Sequence, residues 1–137
     1  MTRPAVHLPD EVRRAIIAHA EREGPRECCG LLVGQGQVVS HAVAVPNRAA
    51  GVTRFRLDDR AHIDVRRTLR CFEPPLEIVG VYHSHPTGAP VPSETDIAEA
   101  HYPDWIHLIV GRAGSRPRVA AYRIQRGRAD ALRLSRT

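Results

Sequence analysis

Within residues 8–23 the apolar positions Val12, Ala15, Ile16 and Ala20 recur at the spacing of one helix face. Pro9 and Asp10 stand in front of them and Gly24 behind, so the pattern predicts a punctuated helix. After Gly24-Pro25 the period changes. CGLLVG and residues 37–45, rich in β-branched side chains around a Gly-containing connection, predict a hairpin, with Glu27 at the entry to its first strand. Residues 46–57 read as loop with a short extended piece. From Asp58 a second helical pattern begins in which Ala61, Val65, Leu69 and Phe72 share a face, and Pro74-Pro75 stops it.

Residues 76–82 are almost continuously apolar, as in a central strand covered on both faces, and this strand carries His83 and His85 at its far end. A Gly/Pro-rich connection over 86–92 leads to Ser93, which has the look of an N-cap, with Asp96 at the third position of a short helix reaching about Ala100. Residues 105–111 and 119–125 predict two more strands joined by a turn over 114–117, and 131–134 an added edge. The order of helices and strands predicts an α/β fold, a mixed sheet with helices packed against it.

The length of 137 residues fits one domain spanning 1–137, and 42% hydrophobic with 26% charged residues is ordinary globular usage. All 20 cationic residues are arginine, which excludes a Schiff-base lysine, pyridoxal chemistry and a phosphate-loop lysine. The N-terminal residues are too charged for a secretory signal, and no apolar run approaches membrane-spanning length, so a cytoplasmic protein without a membrane partner is expected. Three cysteines, Cys28 and Cys29 being neighbours, suit buried structural thiols better than a disulfide framework. Residues 111–137 hold eight arginines against the single acid Asp130. That imbalance reads either as a solvated strand face or as an electropositive edge that steers an acidic protein or nucleic acid. With 4% aromatics, the stacking platforms of single-strand binders are not expected.

The residues that point to chemistry are His83, His85, Ser93 and Asp96. Two residues apart on a strand, His83 and His85 turn their imidazoles to one face, within reach of one ion. Asp96 on the first turn of the following helix aims its carboxylate back toward the same loop. Two histidines and a carboxylate with a fourth position open are the donor set of a catalytic zinc site. From this chain's own residue usage the pattern arises by chance roughly once in a thousand such chains. Ser93 reads equally as a helix cap and as a hydroxyl donating to an oxyanion beside the metal. Ser84 should point to the opposite face, as a packed or supporting residue. The other histidines, His7, His19, His41, His62, His101 and His107, lack partner spacing and default to structure or solvent. No HExxH supplies a base, which leaves Glu27, between Pro25 and the apolar CCGLL run, as the candidate; a solvated strand-edge glutamate is the other reading of that position.

Together these residues resemble the JAMM family, also called MPN+ metalloproteases: an upstream glutamate before Cys-Gly and an apolar strand, then HSHP, a serine and an aspartate at matching spacing. The similarity runs from the first helix to the strand at Trp105. It implies a three-layer, cytidine-deaminase-like domain, zinc held by His83, His85 and Asp96, Glu27 as general acid/base, and Ser93 stabilising the tetrahedral intermediate. It further implies a hydrolase that cuts an amide bond at the C-terminal tail of a ubiquitin-like or sulfur-carrier protein. Only residues 101–104 separate the aspartate-bearing helix from the next strand, so the longer insertion of eukaryotic deubiquitinating relatives, and with it ubiquitin-chain cleavage, is not expected. Other readings are a catalytically silent MPN scaffold, a nucleic-acid-associated JAMM relative, and zinc deamination of a nucleobase; the last is opposed by the lack of PCxxC. A homodimer is compatible with all of them.

Overall fold

The computed structural model describes residues 5–49 and 55–136. Its elements are β1 (Ala5–His7), α1 (Asp10–Glu23), β2 (Cys29–Gln35), β3 (Val38–Val45), α2 (Asp59–Leu69), β4 (Glu77–Ser84), α3 (Glu94–Ala98), β5 (Ile106–Ala113), β6 (Arg116–Gln125) and β7 (Arg128–Ser135). The strands are ordered β1-β3-β2-β4-β5-β6-β7 and close through β1, which runs parallel to both β3 and β7. β4 and β5 are also parallel, while the other neighbours are antiparallel, so the sheet is mixed.

Alternation along the strands sorts side chains onto two faces. All seven strands contribute to an inner core that also takes Val12 and Ile16 of α1, with Leu32, Tyr82, Leu108 and Ala121 among its members. Ile16 is wholly buried, and such a side chain is worth roughly 1.5–3 kcal/mol. The next residues along the central strands, Leu31 and Val81, face outward into a second cluster with Trp105 and, from α2, Ala61 and Val65. Helices therefore cover the central strands on both sides, as an apolar β4 requires.

The mixed sheet between helices is as expected, and its closure into a barrel is what the sequence did not show. β1 was not foreseen, because three residues are too few to show a period, and residues 131–134 are no edge: β7 pairs with β6 on one side and β1 on the other. The turn expected over 114–117 is confined to Gly114 and Ser115, and Pro117 lies inside β6 opposite Arg112. Pairing of β6 with β7 starts only at Ala121, so at Pro117 no β7 residue needs the N–H that proline lacks. Phe72 is 45% exposed because α2 stops at Leu69, three residues short of it. Cys28 and Cys29 are buried as expected, but Cys71 is exposed in the same turn. In the loop read over 46–57, Asn47 bridges to Leu57 and Arg48 N donates to Arg56 O, while residues 50–54 lie outside the described residues.

Candidate metal centre

β2 and β4 pair with Cys29 opposite His83, which brings the approach to β2 against the histidine end of β4. Ser84 points away from the histidines and ties the two segments together. Its hydroxyl accepts from Cys28 N at 2.9 Å and its N–H donates to Cys28 O at 3.1 Å. Asn47 Nδ2 donates to Glu27 O at 2.9 Å, so the backbone on both sides of the Glu27 side chain is held. Behind β4, Tyr82 lies under Gly30, where any Cβ would collide with the ring, and its hydroxyl stands 2.8 Å from Nδ1 of buried His19.

The connection after β4 is held as firmly. Tyr122 Oη donates to Pro90 O at 2.7 Å and Arg112 Nε to Pro86 O at 3.1 Å. His85 extends the ladder through its N–H to Val110 O, and its Nδ1–H donates to Ala89 O at 3.0 Å. That second bond leaves the lone pair of a neutral His85 on Nε2. Ser93 caps α3 with Asp96 in a reciprocal box: Ser93 Oγ accepts from Asp96 N, and Ser93 N donates to Asp96 Oδ2 at 2.9 Å. The box turns the Asp96 carboxylate back over the helix start.

Three donor atoms converge. Nε2 of His83 and Nε2 of His85 lie 3.2 Å apart, and Asp96 Oδ2 lies 3.2 Å from the first and 3.1 Å from the second. Ligand atoms of a four-coordinate metal with bonds of about 2.0–2.2 Å stand about 3.3–3.6 Å apart, so this triangle has nearly the edge length of a tetrahedral site. Glu27 completes the surround: donor atoms of Glu27, His83 and His85 all lie within 4.8 Å of one another. The chemistry of the set, two imidazoles and two carboxylates around one small volume, fits a divalent cation.

The electrostatics follow from crowding and burial. Burial pushes His83 down, against the pull of Asp96, while the hydrogen bond of Asp96 holds His85 up. Burial would raise Asp96, but the hydrogen bonds of His83 and His85 hold it well below the usual carboxylate range. Glu27, 7% exposed, is pushed up to about 7 by burial, with Asp96 raising it further and His85 opposing. A buried carboxyl near neutrality is suited to taking and returning protons.

Beside the triangle, Phe55 stacks on His83 at 4.2 Å between ring centroids. Phe55 also borders a cavity of about 710 Å³ together with His62, Val81, Tyr102, Trp105 and His107. Among the described residues, two buried side-chain polar atoms have no hydrogen-bond partner, His83 Nδ1 and His107 Nε2. Burial pushes His107 down to about 4. Sequence spacing had placed none of these cavity residues; the one local signal was a histidine inside the apolar run WIHLIV.

Fold and cluster define an α/β protein with a group of histidine and carboxylate side chains compatible with a metal site at the end of a central strand. Residues 9–125 match the family described as prokaryotic homologs of the JAB domain, and the chain belongs to that family, the small prokaryotic branch of JAMM/MPN proteins. It is 34% identical over 122 residues to a desampylase of Haloferax volcanii, covering 83% of this chain and 86% of that protein. It is 33% identical over 117 residues to a CysO-cysteine peptidase of Mycobacterium tuberculosis, covering 82% and 78%. A solution structure of a Desulfitobacterium hafniense protein, 24% identical, superposes with a TM-score of 0.84 over 95% of this chain and 91% of that one, a likeness of fold.

Proposed function

We propose that this chain is a zinc-dependent hydrolase that cleaves an amide bond at the C-terminal tail of a ubiquitin-like or sulfur-carrier protein. The observation that carries the reading is the 3.1–3.2 Å triangle of His83, His85 and Asp96 with the Glu27 carboxyl beside it. The names of the relatives, a desampylase and a CysO-cysteine peptidase, support the substrate class. The deaminase-like kinship, the single domain and the cytoplasmic setting expected from the sequence belong to the same reading. Among the described residues, no helix is long and apolar enough to cross a membrane.

Zinc, when bound by His83, His85 and Asp96, supplies the Lewis acidity that acidifies water and polarises an amide carbonyl. The chain's own residues do the rest. Glu27 takes the proton of the attacking water and returns it to the departing amine, a task for which a carboxyl near 7 is poised. Ser93 Oγ accepts from Asp96 N, which leaves its own proton free to donate to the oxygen of the tetrahedral carbon. The Ala89 carbonyl orients His85, and the Phe55 ring keeps water from the flank of His83.

Metal analysis of the purified protein, with hydrolysis of a carrier-tail amide, tests the reading. About one zinc per chain and turnover that disappears on chelation and returns with zinc are expected. A chain that binds no divalent metal at micromolar concentration overturns it and leaves the scaffold reading.

A further inference from the structure

The outer face of the sheet does not end at the metal centre. Val81 belongs to the outer cluster, and His83 follows two residues later on the same face. His83 pairs with Ile109 of β5, and Ile109 with Ala120 of β6. Arg118 and Arg116 lie two and four residues back from Ala120, on that same face. On β7 the partner of Tyr122 is Ala131, and Arg133 lies two residues on. Arg116, Arg118 and Arg133 are all exposed. Two strand spacings and two residues along β6 place the Arg118 Cα about 12 Å from that of His83.

This strip has no internal counter-charge. Asp130, the one acid in β6 and β7, is engaged by Arg128 at 3.0 Å, and Arg136 turns to Asp10 at 3.4 Å. Arg116, Arg118 and Arg133 make no ion pair among the described residues. The strip also adjoins the site physically. Gly111, opposite Arg118, is a glycine because Gly88 O and the Ala89-Pro90 backbone lie where a Cβ would stand. The connection holding His85 and Ser93 in place therefore rests on the sheet immediately beside Arg118.

We infer that Arg116, Arg118 and Arg133 form the docking surface for the folded, acidic body of the carrier whose tail enters the metal centre. The inference rests on the proposed function and adds to it a requirement on the substrate, negative charge on the body that precedes the tail. The spacing is suitable: four extended residues reach about 13 Å, enough to run from a body seated on Arg118 to the site. The cost to the free protein is an exposed like-charge cluster, which a complementary surface relieves.

Two substrates with the same amide-linked coumarin leaving group separate this inference from the function on which it rests. One is an intact ubiquitin-like carrier of net negative charge ending in Gly-Gly; the other is the six-residue peptide of its tail. In the Arg116→Glu/Arg118→Glu/Arg133→Glu variant, the ratio of kcat/KM for carrier to that for peptide should fall at least tenfold. The Gln versions should fall by less. Carrier affinity for the otherwise native Glu27→Gln protein, measured by calorimetry, should weaken steeply with salt, and the same series with the three arginines reversed should be nearly flat. An unchanged ratio, or a carrier Kd indifferent to both charge reversal and salt, overturns the docking surface even if both substrates are cut. If neither substrate is cut, the hydrolase reading falls, and the calorimetry still decides the surface. Loss of duplex DNA binding in the variant with carrier affinity intact overturns the inference in favour of nucleic acid.

Discussion

Tyr82 and His83 are neighbours on β4 and face opposite ways, and polar atoms on the two faces are matched differently. On the inner face pairing is one to one: Tyr82 Oη with His19 Nδ1 at 2.8 Å, Ser84 Oγ with Cys28 N at 2.9 Å. On the outer face two imidazole nitrogens and the backbone N–H of Ser93 crowd one carboxylate oxygen, and the buried carboxyl of Glu27 is pushed up to about 7. The inner arrangement is complete in itself and secures α1 to the sheet. The outer one brings lone pairs and charges together beyond what protein groups alone need, as a cation site does. Two adjacent residues thus divide a closed structural pairing from the candidate site because a strand alternates.

The largest effect should come from removing an outer donor. Asp96→Ala should reduce bound metal from about one per chain to under a tenth and abolish hydrolysis, read by metal analysis and turnover. Glu27→Gln should keep the metal while kcat falls roughly 10²- to 10⁴-fold, and equal loss of metal would move Glu27 into the ligand set. On the inner face, Tyr82→Phe leaves His19 Nδ1 without its partner and should cost roughly 1–3 kcal/mol in urea unfolding at unaltered metal content. If that variant also lost metal, the division between the faces would not hold.

A subtler separation is in pH. The Glu27 carboxyl is raised from 4.5 to about 7 in the folded chain, so the unfolded state ionises first. The Glu27 contribution to the stability of the metal-free protein should therefore fall as pH rises from about 4.5 to about 7 and level off above, opposite in sign to the contributions of the buried His83 and His107. It is read as the difference in unfolding free energy between the native chain and Glu27→Gln across that range. The smallest effect is expected at Phe72, 45% exposed beyond α2, where substitution by Ser should stay within roughly 0.5 kcal/mol.

Much of the site was legible because its determinants are local. The Ser93 and Asp96 box is a four-residue signal, and the structure makes both of its bonds. The second helix begins at Asp58 as read, and the structure makes that residue its cap, accepting from Ala61 N at 2.9 Å. His83 and His85 were placed on one strand by their spacing; β4 ends at Ser84, His85 continues its ladder through its N–H to Val110 O, and the two ring nitrogens meet. The 710 Å³ cavity was not legible, since Phe55, His62 and His107 come from a loop, a helix and a strand with no shared period. Nor was the burial of His19, whose partner is 63 residues away.

By itself the sequence determined where α1, the β2–β3 hairpin, α2 and β4 lie, and that His83, His85 and Asp96 would turn toward one another, because period, capping and strand alternation act within a few residues. Tertiary structure alone decided that β1 closes the sheet, that Phe72 stays in solvent, and that Arg118 stands on the face of His83. Those outcomes depend on pairings between segments far apart in the chain, such as Val6 with Leu134, where neither partner carries a mark of the other.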